Sequence, residues 1–311
     1  MKKKIRIGTR GSMLALWQAD WVKSELEKKH GLEVELDRIK TTGDKITDVP
    51  LAMVGGKGLF VKEIEEALLS GRVHLAVHSM KDVPTFFPEG LGLTAITERE
   101  DPRDVAVVRE GKKLFELPEG AKIGTSSLRR QAQLLAKRPD LEIAQLRGNI
   151  DTRLRKLEEG LYDAVILAGA GIRRLGWAEK ITEYIEPEVM LPAVGQGALG
   201  IETRMDDAET NELVAFFDHP ATSAAVKAER AFLKRLEGGC QVPIASYGTV
   251  ESEELTLTGL VASTDGKTVL RDSIKGPRDE AEGLGTELAE RLLKAGAYDI
   301  LKELYRVAPP K

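Results

Sequence analysis

Apolar and polar positions along the chain fall into two rhythms. Through roughly the first two thirds, apolar runs of strand length alternate with segments of helical period. IRIG (5–8), VELDRIK (34–40), VHLAV (73–77) and LTAIT (93–97) read as strands. Ser12 opens a helix that carries Leu14, Trp17, Trp21 and Val22 on one face. GGKG (55–58) is a glycine-rich loop, followed by a helical stretch to about Ser70. The style returns with AKIG (121–124), the helix SLRRQAQLLAK, LEIAQL (141–146), a helix from Asp151 and DAVILA (163–168). Strands alternating with helices predict parallel sheets with crossover helices, so both halves read as doubly wound α/β domains.

Two stretches break that alternation. DPRD (101–104) reads as a hinge into the second half, and LPAVGQGALGIE (191–202) as a crossing back, because GALGIE is strand-like yet has no βα partner. From about Asp218 the rhythm changes to a helix (221–236), then IASYGTV, LTLTGLVAS and TVLRDSI, with Asp265-Gly266 as a hairpin signal. An amphipathic helix from Asp279 follows. The predicted architecture has three domains: 1–98 with 198–216, 103–192, and 218–311. The last is a smaller α+β domain with a three-stranded antiparallel sheet.

Composition narrows the function classes. The 311 residues are 42% apolar and 31% charged, an ordinary globular balance with material for several cores. No apolar run approaches membrane-spanning length, and MKKKIRIGTR lacks the apolar core of a signal peptide. The only cysteine, Cys240, cannot form an internal disulfide, which fits a reducing cytoplasm. A formal charge of −4 argues against a general nucleic-acid binder. There is no internal repeat.

Charge chemistry concentrates at the strand exits. IRIG leads into Thr9-Arg10-Gly11-Ser12, and VHLAV into His78-Ser79-Met80-Lys81-Asp82. AKIG leads into Thr125-Ser126-Ser127-Leu128-Arg129-Arg130, and LEIAQL into Arg147-Gly148-Asn149, with Arg153 and Arg155 just inside the next helix. VILA leads into Gly169 and on to Arg173-Arg174. Ligands of open α/β sheets bind outside the carboxyl ends of the strands, where free helix amides already favour anions. Arginine in a first helical turn opposes the macrodipole by about 0.3–1 kcal/mol. Repeated at Arg129, Arg130, Arg153 and Arg155, that placement predicts a negative partner, and guanidinium forks suit a ligand with several carboxylates. For any single arginine, a solvated cap or a pairing with Asp or Glu remains the simpler reading.

Other residues leave alternatives open. Asp82, at a strand exit before Val83-Pro84, is either a turn cap or a carboxylate aimed into a cationic cleft for acid–base or cation-stabilising work. GGKG does not satisfy GxxxxGK[ST], so Lys57 sits on a flap rather than a P-loop. His74 and His78 lie on strand-like sequence and read as core or strand-end residues, so no metal site is expected. Cys240 in LEGGCQVPIASYG is a small buried hydrophobe, a catalytic thiolate, or an attachment point made accessible by Gly238 and Gly239.

GTRGSMLALWQA, TTGDKITDVPLAMVGGKGLFVKEIEEALL, LAVHSMKDVPT, EREDPRD, IGTSSLRRQAQL, LRGNIDTRL, LPAVGQGALGIE and LEGGCQVPI together resemble the signature stretches of the porphobilinogen deaminase family. AVHSMKDVP, GTSSLRRQ and GGCQVP are the most specific. The resemblance spans nearly the whole chain and loosens beyond the cysteine loop. It implies a transferase that joins four porphobilinogen units head to tail, releases ammonia and frees a linear tetrapyrrole by hydrolysis, on the route to haem- and chlorophyll-type pigments. It also implies a dipyrromethane cofactor, made from two porphobilinogens and held as a thioether at the position of Cys240. Asp82 matches the essential carboxylate, which serves the pyrrole N–H groups and the cation formed on deamination. Arg10, Ser12, Lys81, Thr125, Ser126, Ser127, Arg129, Arg130, Arg147, Arg153 and Arg174 match positions that bind cofactor and substrate carboxylates. Arg173, beside Arg174, leaves open which of the two faces the cleft. Gln18 matches a cleft residue, and Lys57 and Phe60 match the mobile loop over it. The implied partners are porphobilinogen and the growing polypyrrole chain, with neither nucleic acid nor membrane, on a monomer.

Two other classes stay in view. Paired doubly wound domains with a crossing-back segment are also similar to periplasmic solute-binding proteins and regulator effector domains, which would need neither Cys240 nor Asp82. A cysteine-nucleophile transferase without cofactor is the second.

Overall fold

The computed structural model describes residues 4–45, 61–110, 112–237 and 242–307. Lys57, Phe60 and Cys240, and the GGKG loop, therefore lie outside the described residues. The chain builds three sheets. In the first, β1 (Lys4–Thr9), β2 (Glu33–Arg38), β3 (Leu75–Ser79), β4 (Leu91–Ile96) and β10 (Leu199–Arg204) lie in the order β2-β1-β3-β10-β4. In the second, β5 (Asp104–Val108), β6 (Lys122–Gly124), β7 (Glu142–Ala144), β8 (Ala164–Ala168) and β9 (Glu183–Ile185) follow the order β7-β6-β8-β5-β9. The helices around them are α1 (Met13–His30), α2 (Lys62–Leu69), α3 (Leu128–Lys137), α4 (Ile150–Glu158), α5 (Gly169–Arg174) and α6 (Ala208–Val214).

Both large sheets are covered on both faces, as a doubly wound fold requires. One face of the first packs Val22 and Leu26 of α1 on Ile5, Ile7, Val77 and Ile201; the other packs Ile64 and Leu68 of α2 on Ala76 and Leu91. The second sheet is likewise enclosed between Leu134 of α3 and Leu154, Leu157 and Ile172 of α4 and α5.

The sheets are mixed rather than wholly parallel. β1 is parallel to β2 and β3, but β10 runs antiparallel between β3 and β4. β6 is parallel to β7 and β8, but β5 runs antiparallel between β8 and β9. In each sheet the reversed strand is the one that arrives from the other unit, so it has no crossover helix to make it parallel. DPRD is accordingly only partly a hinge: Asp104 is the first residue of β5, a strand buried along its whole length. β5 and β9 escape the periodicity because one is a continuous apolar run beside a proline and the other is three residues long.

The third sheet is antiparallel, β11 (Ile244–Glu251), β12 (Glu254–Ala262) and β13 (Val269–Pro277) in sequence order. α7 (Pro220–Arg235) and α8 (Ala281–Leu292) cover it through Phe232 and Leu288 on Leu255 and Leu257; α9 (Tyr298–Val307) closes the described chain. Asp265-Gly266 does sit in the β12–β13 connection, where Asp265 Oδ1 accepts from Ser263 Oγ and Lys267 N. Gly266 adopts φ +72° there, and a Cβ would stand 2.4 Å from Ala136 N of α3, so only glycine lets this turn dock on the second unit.

Glu229, fully buried on α7, binds all three units together. Its Oε1 accepts from Arg99 Nη2 at 2.6 Å and Gly248 N at 2.8 Å, and its Oε2 accepts from Gly195 N at 2.6 Å. Arg99 and Gly195 belong to the two segments that cross between the large sheets. Those crossings touch at Gly197, where a Cβ would lie 2.3 Å from Glu100 O.

Candidate active site

The carboxyl ends of the strands in the two large units carry the cations forward toward one another. β3 runs directly into a 3₁₀ turn, Met80–Asp82, whose Met80 is anchored by its N–H on Ala198 O at 3.0 Å and by burial. This leaves Asp82 exposed and Lys81 half-buried beside it. Lys81 feels Asp82, Arg130, Asp104 and Arg153, so residues of both units share one electrostatic neighbourhood. Burial pushes the Lys81 ammonium down to about 8, with Arg130 and Arg153 adding to the burial effect while Asp82 opposes it. Burial likewise brings the Arg153 guanidinium down to about 10, helped by the charges of Arg130 and Arg147. Arg153 is further fixed by Nε donating to Gly148 O at 2.8 Å.

The hydroxyls predicted at these exits serve the local backbone. Ser12 Oγ caps α1 by accepting from Ala15 N, and Ser127 Oγ caps α3 by accepting from Arg130 N. Thr125 Oγ1 accepts from Ser127 N, while Ser126 Oγ both donates to Leu146 O and accepts from Leu146 N, tying the β6 and β7 exits together. Gln18 is buried under the first unit's exits, with Nε2 donating to Ser79 Oγ at 2.9 Å. Arg10, at the end of β1, is half-buried.

Arg129 and Arg130 have a negative partner that the sequence reading missed. Asp104, fully buried at the start of β5, accepts from Arg129 Nη1 at 2.6 Å and from Arg130 Nε and Nη2 at 3.0 and 2.7 Å. Arg129 Nη1 also donates to Leu191 O and Arg130 Nη1 to Ile166 O. The unfavourable first-turn arginines are thus offset in part by the protein's own carboxylate. Two cations on one anion still leave positive charge beside Asp82. Burial opposes ionisation of Asp104, but the two guanidiniums outweigh it and hold the carboxyl well below its usual range.

Removing that carboxylate leaves two buried cations uncompensated. Asp104→Ala is therefore expected to cost about 3–5 kcal/mol of unfolding free energy, read by denaturant titration. Because the carboxyl is depressed in the folded state, its contribution is complete above pH ~4 and is lost as pH falls below that. Acid sensitivity should accordingly be milder in Asp104→Asn.

Two expectations are corrected or resolved. Arg155 does not sit in a first turn: α4 begins at Ile150, and Arg155 lies in its last turn, paired with Glu159 at 2.7 Å on an exposed face. Of the adjacent pair, Arg174 is the enclosed one, donating through Nη2 to Gly197 O at 2.6 Å with its guanidinium 5.9 Å from the Trp17 ring. Arg173 is exposed and pairs with Glu100 at 3.1 Å. His78 is a core residue, its Nε2 2.8 Å from Glu202 Oε2, and His74 Nδ1 accepts from Arg6 N. Among the described residues, no group of three or more His, Cys, Asp or Glu side chains could hold a metal ion. Nor is any helix among them long and apolar enough to cross a membrane.

Fold and cleft define a class: a two-unit α/β protein that gathers cations from facing strand exits around one exposed carboxylate. Residues 5–212 match the family model described as porphobilinogen deaminase, dipyromethane cofactor binding domain, and residues 223–294 match that of its C-terminal domain. The chain is 64% identical over 305 residues to the porphobilinogen deaminase of Geotalea uraniireducens, covering 98% of this chain and 96% of that one. It is 63% identical over 305 residues to that of Geobacter metallireducens, with the same coverage. The chain belongs to the porphobilinogen deaminase family. Solved structures similar to part of it include a Coxiella burnetii periplasmic substrate-binding protein of an ABC transporter (TM-score 0.44, 15% identity, 73% of this chain and 96% of that one). Another is a Bacillus subtilis putative methionine-binding lipoprotein (TM-score 0.42, 14% identity, 69% and 90%). Family membership sets aside the reading of this chain as a solute-binding module.

Proposed function

We propose that this chain is a transferase that joins four porphobilinogen molecules head to tail, releasing one ammonia at each step, and frees the linear tetrapyrrole by hydrolysis. One observation carries the reading: Lys81 from the first unit and Arg130 and Arg153 from the second all feel the charge of Asp82, with Arg147 close enough to act on Arg153. Each substrate unit bears an acetate and a propionate, so a growing chain is a polycarboxylate that such a cleft would hold. In this reading residues 1–98 with 198–216 and residues 103–192 are the cleft domains, supported by their separate sheets. Residues 218–311 carry the cofactor cysteine. The single cysteine suits a reducing compartment, and the enzyme is placed in the cytoplasm as a monomer.

The same residues fit a dipyrromethane, whose several carboxylates match the cation excess and whose attachment needs only one thiol, Cys240. When bound, it supplies the pyrrole carbon to which the first substrate unit is joined. The chain's own residues do the rest. Arg153, Arg147, Lys81 and Arg10 bind carboxylates. Arg129 and Arg130 keep positive potential over the cleft while anchored by Asp104. Ser12, Thr125, Ser126 and Ser127 fix the backbone of the strand exits on which these cations stand. Asp82 accepts pyrrole N–H hydrogen bonds and stabilises the cation left on the substrate when ammonia departs. Arg174 and Gln18 line the cleft between the units, and Lys57 and Phe60 belong to the loop proposed to cover it.

Purified protein given porphobilinogen should release four ammonia molecules per tetrapyrrole formed; no ammonia release would refute the assignment. A second expectation concerns pH. Lys81, lowered to about 8 by burial, loses its charge as pH rises through that value, so it attracts carboxylates less above it. KM for porphobilinogen should rise above pH 8, with the rise displaced to higher pH in Lys81→Arg, in a KM-against-pH series.

A further inference from the structure

We infer that Arg230 is a positioning residue that fixes the Asp82 turn against α7, and so sets where the Asp82 carboxylate stands in the cleft. The inference rests on the deaminase reading and adds to it a residue outside the cleft itself.

Backbone hydrogen bonds tie the Asp82 segment to the sheet on one side only; beyond it Val83 is held by apolar burial. Before Asp82, β3 and Met80 N–H tie the chain to the sheet. After it comes VPTFFP (83–88), with two prolines and no strand before Leu91. Proline supplies no N–H, so the backbone here has little of its own to hold it. Val83 N–H closes the turn on Met80 O, which leaves the outward carbonyls of Val83 and Pro84 to be met from elsewhere.

Arg230 meets both. From α7 it crosses to the first unit, with Nη1 donating to Val83 O at 3.1 Å and Nη2 to Pro84 O at 2.6 Å. Its guanidinium stands 5.5 Å from the Phe87 ring centroid. No carboxylate forms an ion pair with it among the described residues, and burial alone lowers the group to about 10. A half-buried cation with only carbonyls and a ring for partners costs desolvation free energy. Helix packing does not require that cost. Val226, one turn earlier on α7, already packs with Met80, Val83 and Ile96, and Phe232 secures the helix in its own core. What the guanidinium adds is a fork spanning two consecutive carbonyls immediately after Asp82, which fixes direction as well as distance.

A misplacement near 1 Å at a reacting centre costs on the order of 10²-fold. Arg230→Met keeps the alkyl stem and removes the fork. It should retain the cofactor by absorbance, shift KM less than about threefold, and lower kcat about 10- to 100-fold. Arg230→Lys, able to reach one carbonyl, should recover part of that loss. In an Asp82→Asn background, Arg230→Met should cost little more, because it acts through a group already removed. A mere structural staple would instead lower thermal stability while kcat stayed within twofold, or lose activity additively in the double variant; either outcome overturns the inference. If Arg230→Met does not fold, Arg230→Lys and Phe87→Leu decide in the same way. Wild-type protein that consumes no porphobilinogen fails the deaminase reading itself. An active wild type with an equally active Arg230→Met fails this inference alone.

Discussion

Cys240→Ser is expected to give a folded protein with no bound cofactor and no measurable turnover. A thioether needs a sulfur nucleophile, and a thiol is a far stronger acid and nucleophile than an alcohol. A serine hydroxyl without an adjacent base offers almost no alkoxide. The core that α7 and β11 flank is built by Phe232, Leu255, Leu257 and Leu288, and the substitution changes none of those residues. Far-UV circular dichroism should match wild type. The melting temperature should fall, because a polyanion that binds only the folded cleft stabilises it and is now missing. Wild-type turnover in this variant would remove Cys240 from the account.

Asp82→Asn is expected to keep the cofactor and lower kcat by about 10²–10⁴-fold, the usual range for a positioned acid–base group. The exchange preserves shape and a hydrogen-bond acceptor but removes the charge. That charge faces Lys81, Arg130 and Arg153, and the other carboxylate that Lys81 feels, Asp104, is buried and already bound by Arg129 and Arg130. Steady-state rates with porphobilinogen test it, and a kcat within threefold of wild type would exclude Asp82 from the chemistry.

Much of this cleft was legible in the sequence, because local rules placed it. Apolar runs located most strands, and the residues after each run are by topology the residues at the sheet's carboxyl edge. The hydroxyls before Leu14 and Leu128 announced helix caps, as found at Ser12 and Ser127. What stayed hidden depends on long-range pairing. Nothing near DPRD says that Asp104 will meet Arg129 and Arg130, which lie 25 and 26 residues further on. The reversal of β5 and β10 follows from chain crossings between units rather than from periodicity. Arg155 was misplaced because the helix is only nine residues long, Ile150–Glu158, so its sixth residue already falls in the last turn. Arg230 looks in sequence like any basic residue on an amphipathic helix, and only the docking of α7 on the Asp82 segment singles it out.

The central claim is that the chain carries its own two-pyrrole primer on Cys240, beside a cleft that binds carboxylates. Intact mass spectrometry of the purified wild-type protein tests this most directly. A protein heavier than its sequence by two pyrrole units is expected, with the added mass on the peptide containing Cys240. A fully active protein at its unmodified sequence mass would contradict it.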